Sequence, residues 1–309
     1  MADASQDNTQ KGGYDKRLDP AVLDRLSGLT LVARTVVEGT MAGQHRSPHK
    51  GSSIEFAQHR PYVPGDELRH VDWKIFARSN RLVVKEFVEE TNFTCRIVLD
   101  ASASMGFGTL RWKKLDYARW AAAALAHLVI RQRDAAGLVT FDSEVREAMP
   151  PTNGANQLAA MLHALENSKA TGEANVGEVM QTLVPQLRSR GIVAVFSDFF
   201  DELDPIVTAV RQLRHAGHDP ILFQILDPAE LTFDFDPLLR LDGLEGSGRV
   251  KVDPKAIRQA YVEEITKHND ALRIQAQRMN ADFVTITTDT PLDVALSTYL
   301  AHRAARVRG

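Results

Sequence analysis

From Thr94 to the C-terminus, short apolar runs alternate with helix-length amphipathic stretches. That alternation restricts this part of the chain to an α/β fold whose sheet is mostly parallel and doubly wound, of the Rossmann type. Residues 96–99 (Arg-Ile-Val-Leu) form an apolar run ending at Asp100, as a buried parallel strand does. Leu115, Ala118, Ala122, Leu125 and Val129 then fall on one helical face. Further strands are expected at 137–141, 192–196, 221–226 and 283–287. Helices are expected at 156–166, 175–190, 205–215, 254–279 and 291–303, with Pro185 kinking or breaking the second, and a hairpin lies within 238–252.

The first 93 residues read differently. Residues 1–18 are small and polar, and a disordered tail is expected there. A helix is expected over 19–37, with Pro20 in its first turn and Val22, Leu23, Leu26, Leu29 and Val32 at helical spacing. Residues 52–91 hold the turn cluster Pro61, Pro64, Gly65 and Asp66, followed by a strand pattern over 81–90, which together read as a small β-rich unit. The expected division is therefore a tail (1–18), an N-terminal helix with a β-rich subdomain (19–92) and the α/β domain (93–309).

Composition narrows the function. The chain has 309 residues, with 37 basic and 40 acidic side chains and a net charge of −3, so no whole-surface attraction to nucleic acid or to anionic lipid is expected. One cysteine, Cys95, excludes an intramolecular disulfide and a Cys-rich metal site. The N-terminal residues lack the apolar segment of a secretory signal. The most apolar stretch, 121–130, is interrupted by His127 and too short to insert in a bilayer, so a cytoplasmic location is expected.

In doubly wound sheets, function gathers outside the carboxyl ends of the strands. Two strand patterns end there in an aspartate, Asp100 and Asp198. Asp100 opens the run Asp100-Ala-Ser102-Ala-Ser104. One carboxylate and two hydroxyls at alternate positions of a tight loop are hard oxygen ligands suited to Mg²⁺, and Asp198 would close such a site. The plainer reading is that Ser102 or Ser104 caps the next helix while Asp100 accepts backbone N–H groups.

Asp100-x-Ser102-x-Ser104 after an apolar strand resembles the first motif of the metal-ion-dependent adhesion site of von Willebrand factor A domains, and Asp198 resembles that site's last aspartate. A more specific resemblance runs through Gly43-x-His45-Arg46-Ser47, Gly51-x-Ser53-x-Glu55-Phe56 and His59-Arg60-x-Tyr62-x-Pro64-Gly65-Asp66. It continues in Arg69-x-x-Asp72-Trp73-Lys74, Ala77-Arg78, Phe141, Ser197-Asp198-Phe199 and Asp227-Pro228-x-Glu230-Leu231. Together these are similar to the bacterial domain-of-unknown-function family number fifty-eight, from about residue 20 to the end. The resemblance implies a von Willebrand A-like fold and frequent genomic pairing with AAA+ ATPases of the MoxR type, with no settled activity. It also implies metal ligation by Asp100, Ser102, Ser104 and Asp198. One ligand is missing: Ala174 stands where the adhesion site takes a threonine hydroxyl, with Thr171 three residues earlier. Mg²⁺ binding is accordingly expected to be weak, with water filling the gap.

Residues 46–81 carry seven Lys or Arg against four acidic residues. Internal pairing among Arg60, Asp66, Arg69 and Asp72 accounts for much of that charge, while Arg69, Trp73, Lys74 and Arg78 are candidate partner contacts, Arg and Trp being common interface anchors. No phosphate-binding Gly-x-x-x-x-Gly-Lys-Ser/Thr occurs, so the chain is not itself a P-loop ATPase. The expected function is a non-enzymatic adaptor or scaffold for a MoxR-type AAA+ ATPase, without nucleic acid or membrane insertion. The alternative is a metal-dependent phosphoester hydrolase using Asp100 and Asp198, for which Ser102 and Ser104 lack an evident base.

Overall fold

Seven consecutive buried residues, Thr94–Asp100, form the strand around which the larger unit is built. In the computed structural model the described residues are 54–64, 66, 71–89, 94–154, 156–235, 240–242, 249–251 and 254–308. The tail 1–18, the helix expected over 19–37 and Arg69 lie outside them. The chain divides into two units, Ala42–Phe93 and a larger one comprising Met1–Met41 with Thr94–Gly309.

In the smaller unit, β1 (Ile54–Pro61) pairs antiparallel with β2 (Val83–Glu89), with Arg60 opposite Val84 and a bulge between Phe56 and Gln58. The connection carries a two-turn helix, α1 (Trp73–Ser79). Asp72 caps it, accepting the N–H groups of Lys74 and Ile75, and its other oxygen lies 3.1 Å from His59 Nε2. Arg60 forks onto Asp66 with bonds of 2.9 and 3.0 Å. These polar braces hold a unit in which Val71 and Val84 supply the buried apolar contact among the residues described.

The larger unit contains, in chain order, β3 (Thr94–Asp100), α2 (Lys114–Arg131), β4 (Ala135–Phe141), β5 (Val145–Thr152), α3 (Gln157–Asn167) and α4 (Val176–Leu183). Then come β6 (Ile192–Ser197), α5 (Leu203–His215), β7 (Asp219–Leu226), α6 (Pro228–Thr232), β8 (Arg240–Asp242), β9 (Arg249–Lys251), α7 (Pro254–Arg278), β10 (Asp282–Thr287) and α8 (Leu292–Arg308). The main sheet has the order β10-β7-β6-β3-β4-β5 and is parallel apart from β5, which runs antiparallel to β4. The fold is thus α/β with a mostly parallel six-stranded sheet.

Side chains alternate across each strand. Val98, Val139, Val193, Val195 and Leu222 pack with α4, α5 and α7 in one core. Ile97, Leu99 and Phe196 turn to the other face, where α2 packs on β3 and Phe223 meets Tyr299 of α8 edge-on at 5.2 Å.

Several elements depart from the sequence pattern, among them the short helices α1 and α6, which it did not mark. The helix expected over 175–190 ends at Leu183, and Pro185 sits in a separate 3₁₀ turn, Val184–Gln186, because proline cannot continue the hydrogen-bond ladder. β5 carries Pro150 and Pro151, which mask it as a strand; it is tolerated because it lies at the sheet edge. The last helix runs to Arg308 rather than 303, and Arg303 is buried against Asp219, Asp282 and Tyr299.

Candidate functional site

β3 and β6 lie side by side, with Leu99 paired to Phe196. From β3 the chain passes through α2 to β4 on one side; from β6 it passes through α5 to β7 on the other. The connections diverge between these two strands, which makes this the topological switch point of the sheet, where a crevice opens. Asp100 and Asp198 lie at this point because one ends β3 and the other follows β6.

The loop after β3 is built on Asp100. Its Oδ1 accepts the Ser102 N–H at 2.8 Å, and its Oδ2 accepts the Ser197 hydroxyl at 2.6 Å. Ser197 in turn accepts the Phe199 N–H at 2.9 Å, so both strand ends are tied through one hydroxyl. Ser102 begins a 3₁₀ turn, Ala103–Gly106, yet its side chain makes no capping bond. Its hydroxyl instead lies 3.1 Å from that of Ser104. The helix-cap alternative therefore does not describe either serine. Asp100 and Ser102 are fully buried, whereas Ser104 is part-exposed.

The loop that would carry the missing threonine docks on this one. Thr171 N–H donates to Ala101 O and Ala103 N–H to Gly172 O, each at 2.9 Å. Gly172 has φ +73°, and a Cβ there would press on the Asp142 carboxylate, so glycine is required twice over. The Thr171 hydroxyl is directed to Lys169 O at 3.4 Å, and so it does not replace the hydroxyl that Ala174 lacks.

Asp198 is engaged by a residue that the sequence reading did not single out. Lys114, the first residue of α2, donates from Nζ to Asp198 Oδ2 at 2.7 Å and to Glu230 Oε1 at 2.5 Å. The other Asp198 oxygen accepts the Phe200 N–H at 3.1 Å. Lys114 is fully buried. Burial works against its charge, but the two carboxylates outweigh it and hold the ammonium above its ordinary pKa. Glu230 is fixed in turn by the Asp227 N–H, and Asp227 accepts the backbone and hydroxyl of Thr109 at 2.8 and 2.6 Å. Asp100 has no cation of its own. Burial, and then the charge of Asp198, push its carboxyl up to about 7, against the pull of its bonds to Ser197 and Ser102.

The sequence carried two faint signals for this network. One was a lysine at a helix N-terminus, where cations are disfavoured. The other was Asp227-Pro228-x-Glu230, which forms a capping box on α6.

The donor set does not fit a resident divalent ion held as the resemblance implies. Three of the four ligands, Asp100, Ser102 and Ser104, share one loop, but each oxygen of Asp198 already accepts a hydrogen bond, one of them from a buried ammonium that a divalent ion would have to adjoin. Among the described residues no three His, Cys, Asp or Glu side chains form a metal-holding group. Of the candidate partner contacts, Trp73, Lys74 and Arg78 all stand exposed on α1, Trp73 at 54%.

Fold and site together define an α/β protein with a buried polar cluster at its sheet's switch point, held by an internal lysine. The chain belongs to the family described as "Protein of unknown function DUF58", which matches residues 58–271. A relative, the uncharacterized protein Mb1516 of Mycobacterium bovis, is 26% identical over 278 residues, covering 88% of this chain and 86% of the relative. Two solved structures are similar. The conserved hypothetical protein BatB from Bacteroides thetaiotaomicron has a TM-score of 0.45 and 16% identity, covering 69% of this chain and 99% of that one. The SpRpn10 VWA domain has a TM-score of 0.43 and 12% identity, covering 67% and 95%.

Proposed function

We propose that this chain is a non-enzymatic adaptor or scaffold that binds a protein partner through the Asp100–Ser104 loop, the partner being an AAA+ ATPase of the MoxR type. The observation that carries this reading is the arrangement of the loop. Ser104 offers a part-exposed hydroxyl, hydrogen-bonded to the buried Ser102, on a backbone that Asp100 and Ser197 fix. A preset polar donor at a sheet's switch point suits capture of a partner's carboxylate or carbonyl. Trp73, Lys74 and Arg78 on α1 supply a second contact, to which Arg69 belongs by sequence. The identity of the partner comes from the sequence resemblance. With no nucleotide-binding loop in the chain, any energy-driven step belongs to the ATPase.

The hydrolase alternative draws on one feature, the close carboxylates Asp100 and Asp198, with Asp100 raised to about 7. Both Asp100 oxygens are already hydrogen-bonded, and the residue is fully buried, so neither substrate nor an attacking water is positioned against it. A cytoplasmic location goes with the adaptor reading, and no described helix is long and apolar enough to cross a membrane.

The test is co-purification with the MoxR-type ATPase of the source genome, with and without Mg²⁺ and ATP. The native chain should retain the ATPase, and Ser104→Ala should retain less. Failure of the native chain to associate under any of these conditions would reject the reading.

A further inference from the structure

Lys114 stands where a cation costs most. It is the first residue of an 18-residue helix, so its ammonium faces the positive end of the helix dipole, and it has no contact with solvent. An ammonium persists in such a place only inside a cage of opposite charge. The cage here comes from three different segments, the loop after β6, the loop after β3 and α6. Asp198 follows β6 and Glu230 lies in α6, with oxygens at 2.7 and 2.5 Å; the rings of Phe200 and Phe107 lie 5.0 and 5.8 Å from Nζ. All four groups converge on the ammonium at the switch point of the sheet, where Asp198 neighbours the Asp100 that opens the Asp100–Ser104 loop.

The adhesion-type arrangement would give Asp198 to a divalent ion. Mg²⁺ demands oxygen at about 2.0–2.1 Å in near-octahedral order. To reach Asp198 it would have to share a dry carboxylate with the Lys114 ammonium or drive the ammonium off. The Phe200 N–H already occupies the other Asp198 oxygen, so the carboxylate cannot turn to serve both cations without losing that bond.

We infer that the fixed cation of this site is the Lys114 ammonium, built into the chain, and that Mg²⁺ enters only weakly and at its expense. The site is then permanently in its charged, assembled state and needs no metal to present Ser104. Lys114 acts as a positioning residue, tying Asp198 and Glu230 into one unit behind the part-buried Asp100–Ser104 loop. This inference rests on the geometry of the cage and not on the identity of any partner.

Manganese uptake, followed by loss of the free-ion paramagnetic resonance signal, tests it on three chains: native, Lys114→Met, and Lys114→Met with Asp198→Asn. The native chain should leave the signal unchanged at concentrations where Lys114→Met removes one equivalent, and the added Asp198→Asn should abolish that uptake. Saturable uptake of one equivalent by the native chain at those concentrations would overturn the inference. So would a folded Lys114→Met chain that takes up no manganese, since Lys114 would then not be what keeps the ion out. If Lys114→Met does not fold, nitrogen-15 resonances of the native lysine ammonium groups decide the matter. A slowly exchanging Lys114 signal unmoved by millimolar Mg²⁺ supports the inference, and a signal that shifts or vanishes on adding Mg²⁺ overturns it.

Discussion

Lys114 and Asp198, 84 residues apart in the chain, meet in a 2.7 Å ion pair with neither side chain open to solvent. The pair joins the start of α2 to the loop after β6, at the point where the connections to either side of the sheet diverge. Removing one partner leaves an uncompensated charge in a dry site, which costs roughly 3–5 kcal/mol. Asp198→Ala should therefore lower unfolding stability by about 3 kcal/mol in urea, with Glu230 retaining part of the pairing. Replacing the whole cluster, as Lys114→Met with Asp198→Asn and Glu230→Gln, should recover much of that loss. A triple variant less stable than Asp198→Ala would argue against this accounting.

A second expectation concerns packing on the opposite face. Gly177 in α4 lies against Pro205 of α5 so closely that a Cβ would overlap the proline ring. Gly177→Ala improves helix propensity but forces the two helices apart, and overpacking of this kind costs about 1–3 kcal/mol. Thermal unfolding should show a lower midpoint. A raised midpoint would mean that propensity outweighs the contact.

Much of this architecture was legible in the sequence because periodicity carries it. The strands ending at Asp100 and Asp198 are continuous apolar runs, and their order placed both carboxylates at one edge. The elements that the pattern did not mark are β5, hidden by Pro150 and Pro151, and the short helices α1 and α6; the break at Pro185 was legible as a proline inside a helical pattern. Lys114 escaped for a different reason. A lysine beginning a helix reads as solvated, and only the fold brings Asp198 and Glu230 to it from 84 and 116 residues away. Ser102 also differs from a simple loop reading: it is fully buried, and of the two serines only Ser104 is part-exposed.

Stability should depend on pH through His218. This side chain is buried just before β7, and its Nδ1 has no hydrogen-bond partner among the described residues. Burial first, and then the nearby Arg96 and Arg190, hold its pKa below the ordinary 6.5, against a bond with Gly191. The unfolded chain therefore takes up a proton that the folded chain refuses. Stability from this group is complete above pH 6.5 and is lost as pH falls from there through the depressed folded value. Urea midpoints measured down this range should fall, and His218→Gln should remove part of the slope. An unchanged slope in the variant would assign the effect to other groups.

The chain should show no turnover of ATP, generic phosphomonoesters or nucleic acid above background. A phosphatase or nuclease rate that disappears in Asp100→Ala, in a protein that remains folded, would reverse the adaptor reading.

The most direct measurement is a binding titration of the purified MoxR-type ATPase against the native chain and Ser104→Ala, each with EDTA and with Mg²⁺. Loss of one neutral hydroxyl should cost the chain about 1 kcal/mol of stability or less. It should weaken the complex about tenfold, equivalent to ~1.4 kcal/mol, with the same affinity in EDTA as in Mg²⁺. Equal binding by both chains would remove the Asp100–Ser104 loop from the interface and contradict the account.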